Sequence, residues 1–126
     1  MKQAWIIDDS RVARITLRKI LLAEGLEVVE HDSAIQAFEQ LSESTELPAI
    51  IFMDAVMPGM DGLTAIRRLK SDDKLSHIPV AMFTGNESTI DRQQAEQAGA
   101  LAVINKRGVE QMDGKDLMRC LFHTNL

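Results

Sequence analysis

Ala49-Ile50-Ile51-Phe52-Met53 is apolar at every position and runs straight into an acid, Asp54. A strand with one wet face alternates apolar and polar residues, so an unbroken run requires a strand covered on both faces. Helices above and below a parallel sheet supply that cover. The segment is therefore expected at the centre of a sheet, with its acidic end emerging where the cover stops.

The rest of the chain supplies partners for it. Trp5-Ile6-Ile7 reads as a first strand ended by Asp8-Asp9-Ser10; Ser10 can cap a helix whose Ala13, Leu17, Ile20 and Leu21 share one face, and Gly25 suits its exit. Val28-Val29 reads as a second strand. Ser33 opens a helix with Ala34, Ala37, Phe38 and Leu41 inward, and residues 44–48 form a polar loop. After the Pro58-Gly59 turn, Leu63, Ile66 and Leu69 mark a third helix, and Pro79 enters a fourth strand that runs to Phe83. A weakly amphipathic helix over residues 89–98 ends at Gly99. Ala102-Val103-Ile104 is a short fifth strand, and Leu117, Met118, Leu121 and Phe122 line a closing helix. Five βα units with right-handed crossovers predict a three-layer α/β sandwich.

At 126 residues the chain reads as one domain, residues 1–126, with enough length for a real core. Hydrophobic residues make up 45% and charged residues 26%, which excludes a disordered or fibrous chain. No apolar run is long enough to span a bilayer and the first residues lack a secretory pattern, so a cytoplasmic protein without membrane contact is expected. A formal charge of -5 and the lack of a basic stripe argue against a direct nucleic-acid surface. Cys120 is expected to be a small buried or half-buried residue, and His31, His77 and His123 form no zinc pattern.

In such a sandwich, ligands bind beyond the carboxyl ends of the strands. The polar residues expected there are Asp8 and Asp9 after strand one, Asp54 after strand three, Thr84 after strand four and Lys106 past strand five. Carboxylates gathered at one edge repel one another, and a small hard divalent ion, Mg²⁺ or else Mn²⁺, relieves that repulsion through oxygen ligands. An aspartate beside the ion can attack phosphorus and become an aspartyl phosphate, while the cation, a lysine and a hydroxyl balance the charge on the transferring oxygens.

Asp8-Asp9, the segment from Asp54 to Gly62 (Asp-Ala-Val-Met-Pro-Gly-Met-Asp-Gly), Thr84-Gly85, Gly99-Ala100 and Lys106 together resemble a two-component response-regulator receiver domain over nearly the whole chain. The resemblance implies a flavodoxin-like, doubly wound (βα)5 fold with a parallel five-stranded sheet in the order 2-1-3-4-5. It makes Asp54 the phosphoacceptor. Mg²⁺ is implied on Asp9, Asp54 and the Val56 backbone carbonyl, with Asp8 acting mainly through water, and Thr84 and Lys106 on phosphoryl oxygens. The implied donor is a histidine kinase or a histidine phosphotransfer protein, and the implied output is a changed surface for a downstream protein or output domain, with homodimer formation left open. The chain would then be a phosphoacceptor that slowly releases its own phosphate, not an enzyme acting on external substrates.

Three positions depart from the commonest receiver pattern. Val103 stands where the family often has an aromatic switch residue, and a valine has no ring to swing. Arg107 stands where a proline joined by a cis peptide is usual; for a non-proline residue the trans bond is the expectation. The stretch from Gly108 to Gly114 lengthens the last loop. The same resemblance implies that Val56 and Asn86 flank the path of a hydrolytic water. Met53, Met57 and Met60 read as packing, and Asp61 as a cap of the third helix.

Two other classes of function compete. A receiver-like docking or dimerisation module independent of phosphate is kept open by Val103 and Arg107. A phosphatase with an aspartyl-phosphate intermediate is disfavoured, because Val56 stands where a second aspartate would serve as acid or base. Either a complete single-domain regulator or an N-terminal receiver cut from a longer chain fits the sequence.

Overall fold

The computed structural model describes residues 2–85 and 92–122, with the side chain of residue 122 excepted. In chain order the elements are β1 (Gln3–Ile7), α1 (Arg11–Ala23), β2 (Glu27–His31), α2 (Ala34–Glu43), β3 (Ile50–Asp54), α3 (Gly62–Ser71), β4 (Val80–Thr84), α4 (Arg92–Ala98), β5 (Ala102–Asn105), α5 (Lys106–Val109) and α6 (Gly114–Phe122). The strands form one parallel five-stranded sheet in the order β2-β1-β3-β4-β5.

β3 and β4 are buried at every position, as the unbroken apolar run requires, whereas the edge strand β2 is exposed or half-buried throughout. Strand alternation sends successive side chains to opposite faces and so makes two cores. Trp5, Ile7, Ile51, Met53 and Met82 pack with α2, α3 and α4; Ala4, Ile6, Phe52, Phe83 and Ile104 pack with α1, Val109 and α6. Phe52 and Trp5 are essentially sealed from water, each burial contributing roughly 2–3 kcal/mol.

Helix starts follow local chemistry. Ser10, Ser33 and Asp61 accept hydrogen bonds from the backbone N–H groups of Ala13, Gln36 and Thr64. Asp113 and Asp116 exchange side chain to backbone hydrogen bonds at the start of α6. Pro79 directly precedes β4, where its missing N–H costs nothing while its carbonyl accepts from Ile51 N at 2.9 Å.

Three expectations are corrected. Asp54 and Thr84 are the last residues of their strands, not residues beyond them, because ladder pairing carries each strand to that point. The stretch after Lys106 begins with a helical turn, α5, before the loop that leads to α6. Cys120 is exposed, unlike Leu117 and Leu121 of the same helix, which are buried.

Candidate phosphoacceptor and metal site

β1, β3, β4 and β5 end at one edge of the sheet, and the chain leaves β1 and β3 toward opposite sides. A crevice opens between two such diverging connections. Asp54 closes β3 and is buried; Asp8 follows β1 and is fully buried; Asp9 beside it is exposed. One carboxylate oxygen from each of the three lies within 4.8 Å of the others.

Asp8 is held from several sides. Its N–H donates to the His31 carbonyl at 3.0 Å, and its Oδ1 accepts from Ser10 N at 2.8 Å. Its own carbonyl accepts from Arg14 Nη1 at 2.6 Å, and Arg14 Nε in turn donates to Glu30 Oε1 at 3.1 Å. Arg14 thus ties the end of β1 to β2. Composition and spacing did not mark it, since an arginine on a half-exposed helix face has no distinguishing pattern; only the fold shows its guanidinium turned back onto the strand end.

Lys106 reaches the same point from β5. Its Nζ lies 2.7 Å from Asp8 Oδ2 and 3.1 Å from Asp54 Oδ1. It also stands 5.4 Å from the centre of the buried Phe83 ring. Burial alone would lower the Lys106 pKa, but the hydrogen bonding and charge of Asp8 and Asp54 outweigh it and the ammonium is held above its ordinary value. For Asp54, burial and the negative charge of Asp8 raise the pKa to about 7 against the opposing pull of Lys106. One ammonium does not neutralise the pair.

The donor set fits a small divalent cation. Asp8 Oδ2 is buried and faces the Lys106 ammonium at 2.7 Å, and the three candidate donors are all hard carboxylate oxygens.

Thr84 is buried at the end of β4, one step beyond Phe83, the register partner of Asp54. A Cβ on Gly85 would meet Lys106 Cδ at 3.7 Å, an ordinary contact. Val56 N donates weakly to Asp54 Oδ1 at 3.4 Å, and the Val56 side chain is 64% exposed. Asn86 and His123 lie outside the described residues.

The loop from β3 to α3 is shaped by two glycines for different reasons. Gly59 adopts φ +85°, a left-handed conformation that side chains disfavour. Gly62 has no such φ; a Cβ there would lie 2.2 Å from the Asp54 carbonyl oxygen and 2.9 Å from Ala55 Cα. Met53, Met57 and Met60 pack into one core, as expected of filler side chains. Val103 is likewise buried in that core, and the described peptide bonds, including that between Lys106 and Arg107, are all trans.

The model of one family, the response regulator receiver domain, matches residues 4–119. The chain belongs to that family. Protein-glutamate methylesterase/protein-glutamine glutaminase 5 of Myxococcus xanthus (strain DK1622) is 40% identical over 103 residues, which are 80% of this chain and 29% of that protein. Chemotaxis protein CheY of Bacillus subtilis (strain 168) is 36% identical over 102 residues, 80% of this chain and 82% of that protein. The crystal structure of the Mn(2+)-bound form of response regulator Rcp1 superposes with a TM-score of 0.83 at 18% identity, covering 100% of this chain and 99% of the other, a likeness of fold. This receiver domain spans under a third of the length of the methylesterase relative. Membership places residues 4–119 among receiver modules. Among its described residues, no helix is long and apolar enough to cross a membrane.

Proposed function

We propose that this receiver domain, acting as one unit over residues 1–126, takes a phosphoryl group onto Asp54 from a phosphohistidine of a histidine kinase or histidine phosphotransfer protein. The modified edge then changes a surface offered to a downstream protein or output domain. The observation that carries this reading is the meeting of Asp8, Asp54 and Lys106 at the end of the central strand, with Nζ 2.7 and 3.1 Å from the two carboxylates.

An Asp54 carboxylate oxygen attacks phosphorus, a P–O bond forms, the P–N bond of the donor breaks, and the imidazole leaves with its electron pair and takes a proton from solvent. Lys106 moves its charge from the carboxylates to a phosphoryl oxygen, and the Thr84 hydroxyl donates to another. Asp9, Asp54 and the Val56 backbone carbonyl would hold Mg²⁺, or Mn²⁺ in its place, with Asp8 acting through water; the ion would supply positive charge to balance the phosphoryl oxygens. The apolar Val56 side chain cannot orient a hydrolytic water, so self-dephosphorylation is slow.

Intact mass after incubation with acetyl phosphate and Mg²⁺ tests the reading. One phosphoryl adduct, absent from Asp54→Asn, is the expected result. No adduct on the wild-type chain, together with no chemical-shift response to beryllofluoride, would assign the fold to phosphate-independent docking instead.

A further inference from the structure

We infer that Asn105 is a positioning residue for Lys106, acting with the buried Val109 through the one-turn helix α5; the inference rests on the phosphoryl-accepting reading above. Lys106 is the first residue of that turn, so the height of its ammonium over Asp54 depends on how the turn is fixed.

Two independent anchors fix it. On the strand side, Asn105 ends β5 in register with Thr84, at φ -84° and ψ 125°, and its Oδ1 accepts the Arg107 N–H at 2.8 Å. The bond needs a backbone donor at residue 107, which every residue except proline carries. On the helix side, Val109 is fully buried with Leu17 and Leu21 of α1 and Leu117 and Leu121 of α6. Gln111 N and Met112 N donate to the Gly108 and Val109 carbonyls and close the turn beyond the anchor. Lys106 lies between a capped strand end and a side chain sunk in the core. Its all-trans backbone is thereby held without any special peptide geometry.

The cap matters for a second reason. The Lys-Arg-Gly-Val turn contains a glycine and is far too short to persist by itself, so its population depends on these two anchors. Losing the Asn105 acceptor releases the Arg107 N–H to solvent and lets the turn fray at its first residue, which is the lysine. The carboxylates, held by β1 and β3, stay where they are.

The test is a double-mutant cycle read by affinity for beryllofluoride in saturating Mg²⁺, with Mg²⁺ affinity measured separately by calorimetry. Asn105→Ala is expected to weaken beryllofluoride binding roughly five-fold, the equivalent of about 1 kcal/mol of lost capping, and to leave Mg²⁺ affinity within about two-fold. Asn105→Asp keeps an acceptor and is expected to restore binding. In a Lys106→Ala background, Asn105→Ala should add nothing further, because it acts only through the lysine. Additive losses in the double variant, or an Asn105→Ala variant that binds as wild type while Lys106→Ala does not, overturn the positioning role. A Lys106→Ala variant that binds beryllofluoride like the wild type overturns the underlying reading of the site instead. Should Asn105→Ala not fold, Val109→Ala removes the other anchor, and the same comparison with Lys106→Ala decides the question.

Discussion

Burial does two things to Asp54: it excludes water from the carboxylate and exposes it to the undiluted charge of Asp8. Its pKa of about 7 in the metal-free fold lies above the unfolded carboxyl value, so the folded state binds the proton more tightly than the unfolded chain does. The resulting stability is fully present below about pH 4 and is lost as pH rises toward 7. Asp54→Asn carries no charge to repel, so at pH 8 in a chelator it should be more stable than wild type by on the order of 1–3 kcal/mol, the two converging near pH 4. Urea denaturation at both pH values measures the difference. A wild-type protein that gains stability between pH 4 and 8 relative to Asp54→Asn would show that Lys106 already neutralises the site.

At the scale of elements, the demand on the β3–α3 connection is steric. Gly62 is the first residue of α3, its N–H donates to the Ala55 carbonyl at 3.0 Å, and its Cα lies against the Asp54 backbone. A methyl 2.2 Å from a backbone oxygen has no flexible neighbour to displace, so Gly62→Ala should cost about 3 kcal/mol and lower the yield of Asp54 adduct, as followed by urea denaturation and intact mass. The Pro58-Gly59 turn was legible in the sequence; the demand on Gly62, a close approach without positive φ, was not. Helix starts were read well because Ser10, Ser33 and Asp61 carry their caps beside them in sequence. Strand ends were read short where pairing, not composition, decides. β2 runs from Glu27 to His31 because Gln3 to Ile7 pair with it residue by residue. α5 escaped notice because four residues show no periodicity, and its anchor, Val109, is recognisable only once α1 and α6 surround it.

For the whole molecule, the sheet order matters most: it brings the end of β1 beside the end of β3 and leaves an acidic edge that Lys106, the residue after β5, only partly offsets. The convergence of Asp8, Asp54 and Lys106 was legible from residues at successive strand ends, whereas the part of Arg14 in fixing β1 to β2 depends on a turn of chain that no local pattern announces. An ion that binds this edge binds the native arrangement alone, since the unfolded chain does not bring Asp9 and Asp54 together. Mg²⁺ at ten times its Kd should therefore add about 1.4 kcal/mol to stability, raising Tm by about 5 °C at neutral pH. Asp9 is exposed, so Asp9→Ala removes a proposed ligand without opening a cavity in either core. Differential scanning calorimetry across a Mg²⁺ titration should show the rise for the wild type and most of it lost for Asp9→Ala, with the two proteins melting alike in chelator. Equal rises in both proteins would remove Asp9 from the ligand set and leave Asp8 and Asp54 as the carboxylates that hold the ion.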